Sequence, residues 1–370
     1  MPGHGTLRRP ENFFLASLSL LFFSSAAGAQ IAPIQQPPQW KVPNGAGACS
    51  VEKSCAELAP AMIQSALGPS PLEKNLRYLM RAADTPTNPQ DVAKARAWAA
   101  AAFRKSGVDA VQTEEFAIPT RGSHGPAKDR DPHEESQNLI AEIRGHEKPN
   151  EYVLLGVNFG LGDSGGLFDN VSGAAVLIDA ARVIQSSGNT PRRSIRFVLF
   201  ADGQPREGSS AYVRAHRAEL DRAIAAVIFE GGAARIQGYS LGGREDALAM
   251  VREALEPLKT LGVKNFTMGA SVDSDRFPFI LEGVPTLAPD RESARESRDA
   301  QSEPDSAELA ELKRQVAIAA ITAYALADDL ERVAPRQSRA QIERLLAQTG
   351  LEQQMKVEGL WSAWETAAWP

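Results

Sequence analysis

A chain of 370 residues, 43% of them hydrophobic, can fill one large core or two smaller ones, which excludes global disorder. Its formal charge of −6 excludes the basic footprint of a nucleic-acid binder.

The first stretch reads as a targeting segment. Arg8 and Arg9 precede an apolar run from Phe13 to Phe23, followed by Ala27-Gly28-Ala29. That order of charge, apolar run and small residues predicts a secretory signal over residues 1–29. The run is short for a bilayer span, and an uncleaved signal anchor is the alternative. Export to the periplasm or beyond the cell follows, with no membrane span after cleavage. Residues 30–70 read as an N-terminal arm, rich in Pro, Gln, Gly and Ala over 30–48. It holds the two cysteines, Cys49 and Cys55. An oxidising compartment predicts a Cys49–Cys55 disulfide, with two free thiols as the alternative.

Residues 71–330 carry the regular pattern. Helical spacing covers 72–81 and 91–106, and 108–116 reads as a strand. Residues 119–136 are polar and rich in Pro and Gly, as in a surface loop. Apolar strands follow at 138–143, 152–156, 194–200, 223–229 and 283–287. Helices are expected at 172–185, 209–220, 245–258 and 307–330. Alternating strands and helices, with near-continuous apolar strands, predict an α/β sandwich with a mixed, mostly parallel central sheet. The tail, 331–370, reads as a second helical segment capped by Ser338. It ends in Trp361, Trp364 and Trp369, which are expected to dock on the domain.

Such sheets place their sites at the carboxyl ends of strands. The polar residues at those ends are Asn158, Gly160, Asp169, Asn170, Asp202, Gly203, Gln204, Glu230 and Asp275, with a charged stretch from Arg291 to Ser306. None of the five histidines, His4, His124, His133, His146 and His216, lies among them.

The segments Asn138-Leu-Ile-Ala-Glu-Ile143, Tyr152-Val-Leu-Leu-Gly156, Asp169-Asn170, Gly208-Ser-Ser-Ala-Tyr-Val213, Arg235-Ile-Gln-Gly-Tyr-Ser-Leu-Gly-Gly243 and Leu281-Glu-Gly-Val-Pro285 carry a resemblance. Across about residues 72–330 the chain resembles the aminopeptidase Y family of zinc exopeptidases, which includes bacterial leucyl aminopeptidases and plasma glutamate carboxypeptidase. The resemblance implies a phosphorylase/hydrolase-like three-layer sandwich holding two zinc ions. It also implies a ligand set that this sequence breaks. Asn158 stands for a histidine and Gly160 for the aspartate that orients it. Asp169 keeps the bridging aspartate. Gly203 and Gln204 stand for a general-base and ligand Glu pair, with Asp202 as a substitute base. Glu230 stands for a ligand aspartate. Arg298, or else Gln301, falls on the final histidine.

Two-metal hydrolysis needs ions about 3.5–4 Å apart sharing an activated water. Amide oxygens are weak zinc ligands, and an arginine places fixed positive charge where a cation belongs. The expectation is a catalytically silent protein without zinc, with Arg298 paired to Asp169 and Glu230 and peptides as the partner of a remnant cleft. One alternative is an active metallo-exopeptidase using Asp169, Glu230, Asp202 and Asp275, with zinc bound. Another is a structural or partner-binding protein. Asp169 and Asn170 also have the simpler reading of a helix N-cap.

Other chemistries fit less well. Gly238-Tyr-Ser240-Leu-Gly242 has the spacing of a serine nucleophile turn, but no histidine follows it, as such a triad requires. His124 and His133 read as solvated loop residues. Gly231-Gly232 and Gly242-Gly243 read as turn glycines, with no phosphate loop or dinucleotide fingerprint.

Overall fold

The computed structural model describes residues 54–83, 89–117, 135–160, 167–201, 206–229, 231–292 and 304–366. The signal, Cys49, His124, His133, Asp202, Gly203, Gln204, Glu230, Arg298, Gln301 and Trp369 lie outside them.

The chain opens with three helices, α1 (Cys55–Leu67), α2 (Leu72–Ala83) and α3 (Pro89–Ser106). Strands β1 (Ala110–Ala117), β2 (Glu135–Ile143) and β3 (Lys148–Asn158) lead into helix α4 (Leu167–Ser186). Then come β4 (Arg193–Phe200), α5 (Glu207–His216), a 3-10 turn (Arg217–Arg222) and β5 (Ala223–Phe229). Next are β6 (Ile236–Ser240), α6 (Leu248–Ala254), β7 (Asn265–Thr267), α7 (Phe277–Leu281) and β8 (Thr286–Arg291). Helix α8 (Ser306–Asp328) and three tail helices, α9 (Arg339–Thr349), α10 (Leu351–Val357) and α11 (Trp361–Glu365), complete the described chain.

The eight strands form one sheet in the order β1-β2-β4-β3-β5-β8-β6-β7. Strand β3 runs parallel to both β4 and β5, and β5 runs parallel to β8. The β1–β2, β2–β4 and β6–β8 pairings are antiparallel, so the sheet is mixed as expected. Every residue of β5 is buried because helices cover both faces there. One face packs against α1–α4, α6 and α8. The other packs against α5 and α7 through Tyr212, Val213 and Phe279.

Several local expectations change. Residues 55–67 are a helix inside the domain, where an arm was expected. Leu58, Met62 and Ala66, four apart, are buried as α1 packs on α8 and α4. Pro60 inside that helix hides the pattern from a sequence reading. Cys55 is a free thiol, its Sγ 3.8 Å from the Ile321 carbonyl oxygen, where a bridge to Cys49 was expected; Cys49 lies outside the described residues. Burial pushes that thiol up to about 12, with Asp328 adding to the rise.

The helix expected over 245–258 is α only from Leu248 to Ala254, with 3-10 turns either side. Pro257, the second residue of the later turn, has no N–H to continue an α-helix. The strand expected at 283–287 begins later and runs to Arg291, because Gly283 (φ 73°) first closes the turn after α7. The short pair β6–β7 has too few residues to show a period. In the tail, the Ser338 N–H donates to Gln341 Oε1 at 2.8 Å, so the expected cap stands. Trp364 is buried and Trp361 packs beside it, in a small core shared by α7 and α9–α11.

Candidate functional site

The parallel register brings three strand ends together. Asn158 at the end of β3 pairs with Phe200 at the end of β4, and Val157 with Phe229 at the end of β5. Helix α4 starts just beyond β3, and its first turn carries Asp169. The helix begins at Leu167, so Asp169 and Asn170 sit inside that turn and neither is the cap. A carboxylate there is favoured by the unpaired N–H groups of the helix start.

The chain leaving β5 passes directly over this turn. A Cβ on Gly231 would lie 1.4 Å from the Asp169 carbonyl oxygen. Gly232 has φ 90°, and a Cβ there would lie 2.6 Å from Asp169 Oδ1. Only glycine permits both the approach and the left-handed backbone. Ser172 Oγ donates to the Asp169 carbonyl oxygen at 3.0 Å and accepts from the Gly232 N–H at 2.8 Å. From below, Gln315 Nε2 of α8 donates to the carbonyl oxygens of Gly232 and Ala234, both at 3.0 Å. Arg291 Nη1 donates to the same two oxygens at 3.1 Å.

The electrostatics at Asp169 follow from this packing. Its side chain is exposed at the rim, but the surrounding protein removes part of its hydration and pushes the carboxyl up, while the Arg291 charge opposes that rise. Among the described residues, Arg291 is thus the cation acting on Asp169. Arg298, expected in that role, lies outside the described residues. Arg291 is expected only as the start of a charged stretch, since the apolar run of β8 ends at Leu287. Strand β8 continues to Arg291, and that extension carries the guanidinium to the loop.

The position read as a replaced metal histidine has its own structural use. Asn158 Oδ1 accepts from the Gly160 N–H at 2.8 Å, and Asn170 Nδ2 donates to the Gly160 carbonyl oxygen at 2.9 Å. These asparagines brace the chain as it leaves β3. Asn138, fully buried on β2, does the same for the β4–α5 connection: its Oδ1 accepts from Ala201 N and its Nδ2 donates to Gly208 O, both at 2.9 Å.

The other candidates separate. Asp275 accepts from Ser209 Oγ of α5 at 2.6 Å. Ser240 Oγ donates to the Gly269 carbonyl oxygen and accepts from Arg276 Nη1 at 3.2 Å, so its hydroxyl is spent on structure. Among the described residues no three His, Cys, Asp or Glu side chains are placed to hold one metal ion between them. Of the expected ligand set only Asn158 and Asp169 are described, and they supply one bound amide oxygen and one carboxylate, two donors that do not hold a zinc pair by themselves. Two cavities, of about 440 and 470 Å³, lie at the opposite edge of the sheet around Asp221 and Arg336. Arg336 is already committed there to Glu282 and Asp221.

Residues 138–321, just under half of the chain, match Peptidase family M28. Carboxypeptidase Q of Mus musculus is 31% identical over 157 residues, covering 42% of this chain and 33% of that protein. The match thus spans a third of that relative's length. Among solved structures, the Peptidase M28 precursor of Shewanella amazonensis superposes with a TM-score of 0.61 at 18% identity, over 77% of this chain and 99% of that one. The LapA aminopeptidase of Legionella pneumophila superposes at 0.57 and 17% identity, over 77% and 79%. At these identities the likeness is one of fold.

Proposed function

Because residues 138–321 match Peptidase family M28, we propose that this chain is an exported, catalytically silent relative of the zinc exopeptidases, of the aminopeptidase Y type, that has lost its metal centre. One observation carries the reading: Asn158, standing where the resemblance expects a zinc histidine, uses its amide oxygen to hold the Gly160 N–H at 2.8 Å. An amide oxygen is a poor zinc donor, and here it is also engaged in bracing the loop. Arg291 adds fixed positive charge near the one described carboxylate of the set, Asp169. Export rests on the signal-like residues 1–29. The exposed Asp169 and the strand-end rim favour a peptide as partner, its cationic groups facing the carboxylate.

Elemental analysis of the gently purified chain, with an aminopeptidase and carboxypeptidase assay on the same sample, tests this. The expected result is zinc far below one ion per chain and no turnover that chelators abolish. Near-stoichiometric zinc with chelator-sensitive exopeptidase activity overturns it.

A further inference from the structure

The last residue of α5, His216, faces carboxylates on two sides. Its Nδ1 meets Glu219 of the following 3-10 turn, and its Nε2 lies 2.9 Å from Glu114 Oε1 on the edge strand β1. Its ring stacks on Tyr212 with centroids 4.2 Å apart. A neutral imidazole has one N–H and one bare nitrogen, so one carboxylate would then face a lone pair. Only the imidazolium donates in both directions.

The surrounding elements supply the other charges. Arg196 of β4 donates through Nη1 to Glu219 at 3.2 Å and to Tyr212 Oη at 2.9 Å. Its Nε donates to Glu142 of β2 at 3.0 Å, and its guanidinium lies 4.1 Å from the Tyr152 ring centroid on β3. Three carboxylates, Glu114, Glu142 and Glu219, therefore gather around Arg196 and protonated His216, with Arg144 adding positive charge near Glu142. Without the proton Glu114 loses the cation it faces and Glu219 keeps only Arg196, in a setting sealed enough for the imbalance to be felt.

We propose that His216 is a proton-operated clasp: charged, it pins α5 and its 3-10 turn to the edge strand β1, and uncharged it lets that corner of the sheet loosen. Helix α5 runs from this corner to the carboxyl edge, where Ser209 bonds Asp275. Loosening it thus reaches the rim of the candidate site. The direction of titration agrees. Burial works against the imidazolium, but the hydrogen bonds to Glu114 and Glu219 and their negative charge outweigh it and raise its affinity for the proton. Burial likewise opposes ionised Glu219, yet His216 and Arg196 hold its carboxyl down at about 2. With the folded value raised, the clasp is complete below the ordinary imidazole range, about 6.5, and is lost as pH rises through the folded value.

The test is a histidine-resolved NMR titration of the full chain, with amide exchange measured across β1 and α5 and corrected for intrinsic base catalysis. The expected His216 midpoint lies above about 6.5, and protection in β1 and α5 falls roughly threefold or more as pH rises through it. In His216→Gln that fall disappears. Should this variant not fold, Glu114→Gln must lower the midpoint in its place. A midpoint at or below about 6.5, protection independent of pH in the unaltered chain, or a midpoint unmoved by Glu114→Gln each overturns the clasp.

Discussion

The carboxyl edge of the sheet and the flank beneath α5 both gather polar side chains, and they use them in opposite ways. At the edge, Asn158, Asn170, Ser172, Gln315 and Arg291 spend their hydrogen bonds on backbone groups beside the exposed carboxylate of Asp169. On the flank, Arg196, His216, Glu114, Glu142 and Glu219 spend theirs on one another. An edge built from backbone contacts fixes the course of the loops and carries little charge chemistry. A flank built from interleaved charges is sensitive to the loss of any one member. The contrast teaches that the cluster most perturbed electrostatically need not lie at the carboxyl ends of the strands.

The largest break in this comparison is expected at Gly231. Gly231→Ala forces a Cβ into the Asp169 carbonyl oxygen, a contact between two backbones with no flexible end to move. It should remove more than about 4 kcal/mol of stability by chemical denaturation, or prevent folding. Next is Arg196→Ala, which leaves Glu142 and Glu219 without their shared cation. A loss of about 3–5 kcal/mol is expected near neutral pH, and it should shrink in acid as Glu142, already pushed up by burial, takes a proton. A loss below about 1 kcal/mol would mean that the flank charges are not coupled.

A smaller effect is expected at Gly232. Gly232→Ala meets a left-handed backbone and the tip of a movable side chain, so about 1–2 kcal/mol is expected, read from the denaturation midpoint. Smallest is Asp169→Asn. The carboxyl is raised in the folded state, so its ionisation lowers stability as pH climbs from about 4 through the folded value. Removing the charge should flatten that decline and leave stability at pH 7 the same or slightly higher, within about 0.5 kcal/mol. A clear destabilisation would show that Asp169 is engaged by a cation more strongly than Arg291 alone provides.

Much of this molecule was readable before any coordinates. Strands β2, β3, β4 and β5 fall where apolar runs predicted them, since burial on one or both faces writes itself into consecutive residues. The tail cap at Ser338 was also readable, because a cap is settled within four residues. The site was readable only in part. Asn158 and Asp169 were named as strand-end residues, but the bond from Asn158 to Gly160 depends on how the chain leaves β3. Arg291 and Gln315 were missed as a clamp. They lie far from Gly232 in sequence, and neither residue type in its own segment announces a partner.

The amino-acid order alone set the alternation of strands and helices, the α/β class and the absence of histidine from the strand ends. Each of these is a property of neighbouring residues, or of composition. Folding decided which distant groups met: Gln315 and Arg291 under Gly232, Cys55 against Ile321, and His216 between Glu114 and Glu219. Those meetings depend on strand order and on helices crossing the sheet, and side chains separated by tens or hundreds of residues carry no local signature of the contact they will make.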